Sequence, residues 1–189
     1  MQKFYRLIMT VVALAFFTLT GCALSPQTVT ISPRLAGTGA GTGQRLAVIV
    51  RDTRANPVIG YRGGIYATAA ITTAGDLNRT VQTALALAYG HSGFTIVEQP
   101  DTADIKLALD IESLDYKAAQ NNIIWDIEFQ ATLRATATSK NGEKSLQLED
   151  RVTRQYAKAP SEQENADLIN DVITKLLDRL IENREFLSN

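Results

Sequence analysis

The chain has one cysteine and one histidine in 189 residues. A lone cysteine leaves no partner for an intrachain disulfide. One cysteine and one histidine also exclude a zinc site of the usual His/Cys type, and no metal or other cofactor is expected. Catalysis loses its commonest base in the same way. His91, in Gly90-His91-Ser92-Gly93, has neither a nucleophile nor an orienting acid nominated beside it, and a histidine there suits the carbonyls of a helix C-terminus. Asp104, Asp110, Glu112 and Asp115 lack calcium-loop spacing and read as a solvated face. Charge of one sign is missing too, with 19 Lys and Arg against 20 Asp and Glu. No Lys/Arg-rich footprint for nucleic acid is therefore present. The composition points away from an enzyme and from a nucleic-acid binder.

What is present begins at the N-terminus. Lys3 and Arg6 precede an uncharged apolar run, Leu7 to Leu19. That run fits a signal-peptide core and is shorter than the ~20 residues that span hydrocarbon. No second long apolar run follows. The run ends in Leu19-Thr20-Gly21-Cys22, which resembles the lipobox of bacterial lipoproteins. The resemblance implies cleavage between Gly21 and Cys22, diacylglycerol on the Cys22 sulfur, and an acyl chain such as palmitate on the new N-terminus. Two or three chains, at roughly 0.8 kcal/mol per buried CH₂, make a stable membrane anchor. Ala23 in place of Asp favours, by the same analogy, the outer membrane, with the protein facing the periplasm.

Residues 1–21 thus read as a lipoprotein signal, 22–44 as the lipidated cysteine with a flexible tether, and 45–189 as one periplasmic domain. Removing the signal takes Lys3 and Arg6 with it and moves the net charge from −1 to about −3. The tether reading rests on Ser25-Pro26, Ser32-Pro33 and the glycine alternation through Gly43. Such a stretch would span on the order of 25 Å.

Within the domain, Leu46–Val50 reads as a buried strand, and Asn56-Pro57 with Gly60, Gly63 and Gly64 as a loop. An extended piece fits around Ile65–Ile71. Asp76 stands as the N-cap of a helix whose apolar face is Leu77, Val81, Ala84, Leu85, Ala88 and Tyr89. A strand over Phe94–Glu98 follows. Ile105–Glu112 alternates with period two, and so does Ile123–Thr138, with Trp125, Ile127 and Phe129 on the apolar side. Asn141-Gly142 predicts a two-residue hairpin turn into Leu146–Tyr156. Ser161 and Glu164 have capping-box spacing ahead of a last amphipathic helix. The expected fold class is α+β: a mainly antiparallel sheet with two amphipathic helices packed on one face.

Val48-Ile49-Val50-Arg51-Asp52-Thr53-Arg54, followed by Ile59-Gly60-Tyr61-Arg62-Gly63-Gly64, resembles the start of the YajG family of bacterial lipoproteins. Its D-x-R and I-G-x-R type segments match here, and the resemblance implies an outer-membrane lipoprotein. Asp52 and Arg54 lie on the same side of an extended strand end. With Arg62 nearby they either present charge to a partner or ligand, or fix the turn into the glycine loop; the structural role is favoured. The leading functional reading is a non-enzymatic envelope module, anchored through Cys22 and meeting a periplasmic envelope protein. The alternative is a lipid- or small-ligand-binding lipoprotein with Trp125 and Phe129 lining a cleft. The oligomeric state is left open.

Overall fold

The structure, a computed structural model, describes residues 24–37, 41–63 and 68–188. Gly21, Cys22, Gly64 and Tyr66 lie outside the described residues, as do residues 65–67 of the stretch read as extended around Ile65–Ile71. The strands are β1 (Gln27–Val29), β2 (Arg45–Asp52), β3 (Val58–Tyr61), β4 (Ala70–Thr73), β5 (Thr95–Ile96), β6 (Ile105–Asn121), β7 (Ile124–Ser139) and β8 (Gly142–Tyr156). Helix α1 (Leu77–His91) lies between β4 and β5, and α2 (Glu162–Glu182) follows β8. This is an α+β fold on one eight-stranded mixed sheet.

The sheet is organised by β6. One of its edges pairs in parallel with β2 along Ile105–Ile111, then with β3 at Tyr116. The other edge runs antiparallel with β7, which runs antiparallel with β8. Most of the pairing is therefore antiparallel. β4 pairs antiparallel with β3 and parallel with β1, while β5 runs parallel with β2.

Side-chain alternation buries one side of the central hairpin. Leu107, Leu109, Ile127, Phe129, Ala131 and Ala135 are all without exposure. Helix α1 lies along β2 and β5, α2 along β7, β8 and β1, and the helices touch each other. The apolar stripe of α2, from Leu168 through Ile181, is buried at most positions. Each such side chain contributes about 1.5–3 kcal/mol relative to exposure. Helix starts are as the sequence predicts. Asp76 accepts the Arg79 N–H, and Ser161 forms a complete capping box with Glu164.

Four local expectations need correction. Val58–Tyr61, read as loop, is a strand. The alternation that stops at Glu112 does not end β6; a bulge between Ile111 and Ser113 shifts the phase, and Leu114 and Tyr116 point inward beyond it. Ile123, expected on the buried side of β7, sits in the β6–β7 turn and is exposed. The β7–β8 hairpin forms, but only Gly142 has positive φ, at 124°, so the turn is Lys140-Asn141 with glycine just after it.

The largest correction concerns the tether. Gln27–Val29 is a strand, and Val29, Ile31 and Pro33 are buried. Asn170 of α2 clasps the segment, accepting the Ser32 N–H at 2.7 Å and donating to the Thr30 carbonyl at 2.9 Å. Farther on, the Gly41 and Gly43 N–H groups donate to the carbonyls of Ser92 and Gly93. Residues 24–43, where described, form a strap laid across the domain. Alternating apolar side chains fill the groove; the Asn170 amide satisfies the backbone on the N-terminal side of Pro33, and backbone carbonyls satisfy the glycines.

Candidate functional site

Asp52 ends β2, and Arg54 turns back onto it. Arg54 Nε donates to Asp52 Oδ1 at 2.8 Å and Nη2 to Oδ2 at 2.7 Å, a bidentate pair. The Arg54 backbone N–H adds a third bond to Oδ1. Asp52 keeps a quarter of its side chain in solvent whereas Arg54 keeps 5%. The Arg54 guanidinium holds the Asp52 carboxyl below the usual carboxylate range, against a smaller opposing effect of burial. Thr53 closes the turn through its N–H and hydroxyl, both donating to the Ile111 carbonyl at 3.1 Å. The D-x-R motif is thus a self-contained turn at the end of β2.

Arg62 joins no part of this pair through its described bonds. It is 8% exposed, and its acceptors are carbonyls: Nη1 donates to Ser25 and Nη2 to Pro160, each at 2.8 Å. Around Pro160 lies a buried polar chain. Gln27 Nε2 donates to the same carbonyl, Asn165 Nδ2 donates to Gln27 Oε1, and Tyr116 Oη donates to Asn165 Oδ1. Burial pushes the Tyr116 phenol well above its ordinary value. One arginine therefore ties together the strap, the end of β3 and the entry to α2. Gln27, Tyr116 and Asn165 carry no local motif, and sequence reasoning missed them.

The remaining I-G-x-R residues have physical reasons as well. Ile59 is core. A Cβ on Gly60 would stand 2.0 Å from the Tyr116 carbonyl oxygen, so only glycine lets β3 reach β6 there. Gly63 has φ +75° and lies against Ala118 and the Trp125 ring.

The other nominated residues fall elsewhere. His91 is exposed at the end of α1, where Ser92 caps the Ala88 carbonyl with both its N–H and hydroxyl. Trp125 and Phe129 are core, Phe129 without exposure. Asp110 and Glu112 sit in ion pairs with Arg51 and Arg134, at 2.6 and 2.5 Å, and Asp104 pairs with Arg45. A groove of about 900 Å³ between strap and α2 is lined by polar and charged groups, among them Arg34, Asn170 and Lys175. Among the described residues no three His, Cys, Asp or Glu side chains group as metal ligands, and no helix is long and apolar enough to cross a membrane.

A family model described as uncharacterized lipoprotein matches residues 35–188, which include both motifs. The chain belongs to this family, the YajG-type lipoproteins. Comparison with curated proteins finds no match. Among solved structures, a Xanthomonas campestris protein is similar at 16% identity and TM-score 0.53, over 85% of this chain and 93% of its own. That likeness shows a shared fold. A minor lipoprotein from Acinetobacter baumannii is similar at 10% identity and TM-score 0.37, over 74% of this chain and 85% of its own. Lipoprotein GNA1162 from Neisseria meningitidis is similar at 11% identity and TM-score 0.34, over 74% and 99%. These last two likenesses are too distant to carry an argument.

Proposed function

We propose that this lipoprotein is held by lipid on Cys22 at the periplasmic face of the outer membrane and serves there as a non-enzymatic interaction module for another envelope protein. Family membership supports the lipid anchor, and Ala23 after the cysteine supports the outer membrane. In this reading both helices cover the face that carries Leu107 and Phe129. The opposite face is polar and laced with cross-strand ion pairs such as Arg51–Asp110 and Arg151–Glu128.

The observation that carries the interaction reading is β8. Its fifteen residues pair with β7 alone among the described strands. An edge of that length offers N–H and C=O groups to an added strand, a recurring way in which a sheet recruits a partner chain, with the Glu149 carbonyl already taken by Arg179. The charged groups that the sequence nominates are, by contrast, taken up in holding turns and segments. The test is a photo-crosslinking residue placed at Ser145 or Gln155 on β8, or at Leu87 on α1, in the lipidated protein in cells. One abundant adduct from the β8 positions and none from Leu87 is expected. Equal labelling from all three, or none in correctly anchored protein, overturns the reading. Cys22→Ser is expected to leave unprocessed precursor without lipid label; normal labelling would remove the anchor from the proposal.

A further inference from the structure

Four large apolar side chains are exposed among the described residues: Tyr61 at 47%, Leu87 at 60%, Ile123 at 79% and Ile124 at 43%. Three of them gather at one end of the sheet. Ile123 stands in the turn of the β6–β7 hairpin beside Asn122, whose φ of 56° turns the chain, and Ile124 opens β7 next to it, so the two make the apolar tip. Trp125, the next residue, packs its ring against Gly63, two positions beyond Tyr61. Turn tips ordinarily carry glycine, asparagine, aspartate or serine. The β7–β8 tip, at the other end of the same strand, follows that rule with Lys140-Asn141-Gly142. Sixteen residues of β7 separate the two tips, and at ~3.4 Å per residue they stand roughly 50 Å apart.

The strap decides which end faces the membrane. Ser25 is fixed by its carbonyl to Arg62, next in sequence to both Tyr61 and Gly63. Cys22 lies three residues upstream. Three residues reach at most about 10 Å, so lipid on Cys22 would hold the Arg62 end of the domain close against the bilayer. The apolar tip belongs to that end. The carboxylate nearest the tip, Asp126, accepts from the side-chain amides of Asn121 at 2.6 Å and Gln155 at 2.7 Å, which draw it into the sheet surface.

Resting on the lipid-anchor reading, we propose that Ile123 and Ile124 form a second membrane contact, seated in the acyl–headgroup boundary beside the lipid on Cys22. Two apolar side chains entering the interface add to the hold of the acyl chains. They also set the orientation, with the long axis of β7 pointing away from the surface.

The test uses the full-length lipidated protein in vesicles of phosphatidylethanolamine and phosphatidylglycerol. Ile123→Cys and Lys140→Cys each introduce the only free thiol, since Cys22 carries the lipid, and each is labelled with an environment-sensitive fluorophore. Flotation with the vesicles reads the anchor independently of the label. The expected result is flotation of both variants, with several-fold stronger quenching of the Ile123→Cys label by lipid-borne nitroxide and protection from aqueous iodide. The Lys140→Cys label is expected to show the reverse. Flotation with an iodide-accessible label at both positions overturns the contact while leaving the anchor intact. A label shielded from iodide yet out of reach of lipid-borne nitroxide assigns the tip to a protein partner or a second copy, and overturns it as well. Failure to float removes the anchor and the contact together.

Discussion

Arg54 and Arg62 are both nearly out of solvent, and they hold opposite kinds of structure. Arg54 closes on a carboxylate two residues away, so its pair is local and its charge is matched. Arg62 reaches carbonyls 37 and 98 positions distant and donates to neutral oxygens. The first fixes a turn that β2 would end in anyway. The second is the joint at which the strap, β3 and the start of α2 meet. A buried cation bonded to carbonyls is a stronger constraint on which segments come together, because removing it takes a charged donor from backbone oxygens in two distant segments, at Ser25 and Pro160.

Breaking the Arg62 joint is expected to have the largest effect. Arg62→Met keeps the volume and loses both charged hydrogen bonds, lowering stability by about 3 kcal/mol. Urea denaturation reads the loss, and limited proteolysis should find new cleavage within residues 24–37. Strap protection equal to that of the native protein would move the credit from Arg62 to apolar burial. Asp52→Ala, which leaves Arg54 partly buried without its partner, should lower stability by about 1 kcal/mol, since solvent reaches the pair. The strap should stay protected and partner capture should persist; unchanged melting with lost capture would make the pair a recognition element. The pH dependence sharpens the contrast. Because the folded-state pKa of Asp52 is depressed, its contribution is present at neutral pH and is lost as pH falls below about 4. Native and Asp52→Asn unfolding curves should therefore converge in acid, whereas the Arg62→Met difference should persist. Arg134→Gln, which breaks the surface pair with Glu112, sets the floor at about 0.5 kcal/mol or less by thermal melting.

The sequence made local signals plain and distant ones invisible. The Asp76 cap, the Ser161 box and the alternation along β7 could be read because each is settled within a few residues. β6 was legible only to Glu112, since one bulged residue reverses which positions face inward. The Arg54 pair was legible from its spacing. The Gln27–Asn165–Tyr116 chain was not, because its members lie 138 and 49 positions apart. The strap carried a signal that composition masked: Val29, Ile31, Pro33 and Leu35 alternate with Thr30, Ser32 and Arg34, a strand pattern interrupted by proline and followed by glycines. Charged residues that invite a functional reading hold a turn and a joint between segments, and a segment that reads as tether contributes Val29 and Ile31 to the core.

The strap also imposes an order in time. Its anchoring partners, Pro160 and Asn170, lie 133 to 140 residues downstream. An exported chain that enters its new compartment N-terminus first delivers the strap early and α2 late. The strap can find its seat only after the last helix has arrived, and closing so long a loop is slow compared with forming the β7–β8 hairpin. On the proposed export route the segment next to Cys22 would be the first part across and the last to lock. Processing at Cys22, as proposed above, would then meet a free chain and not a folded one, because connectivity alone delays closure.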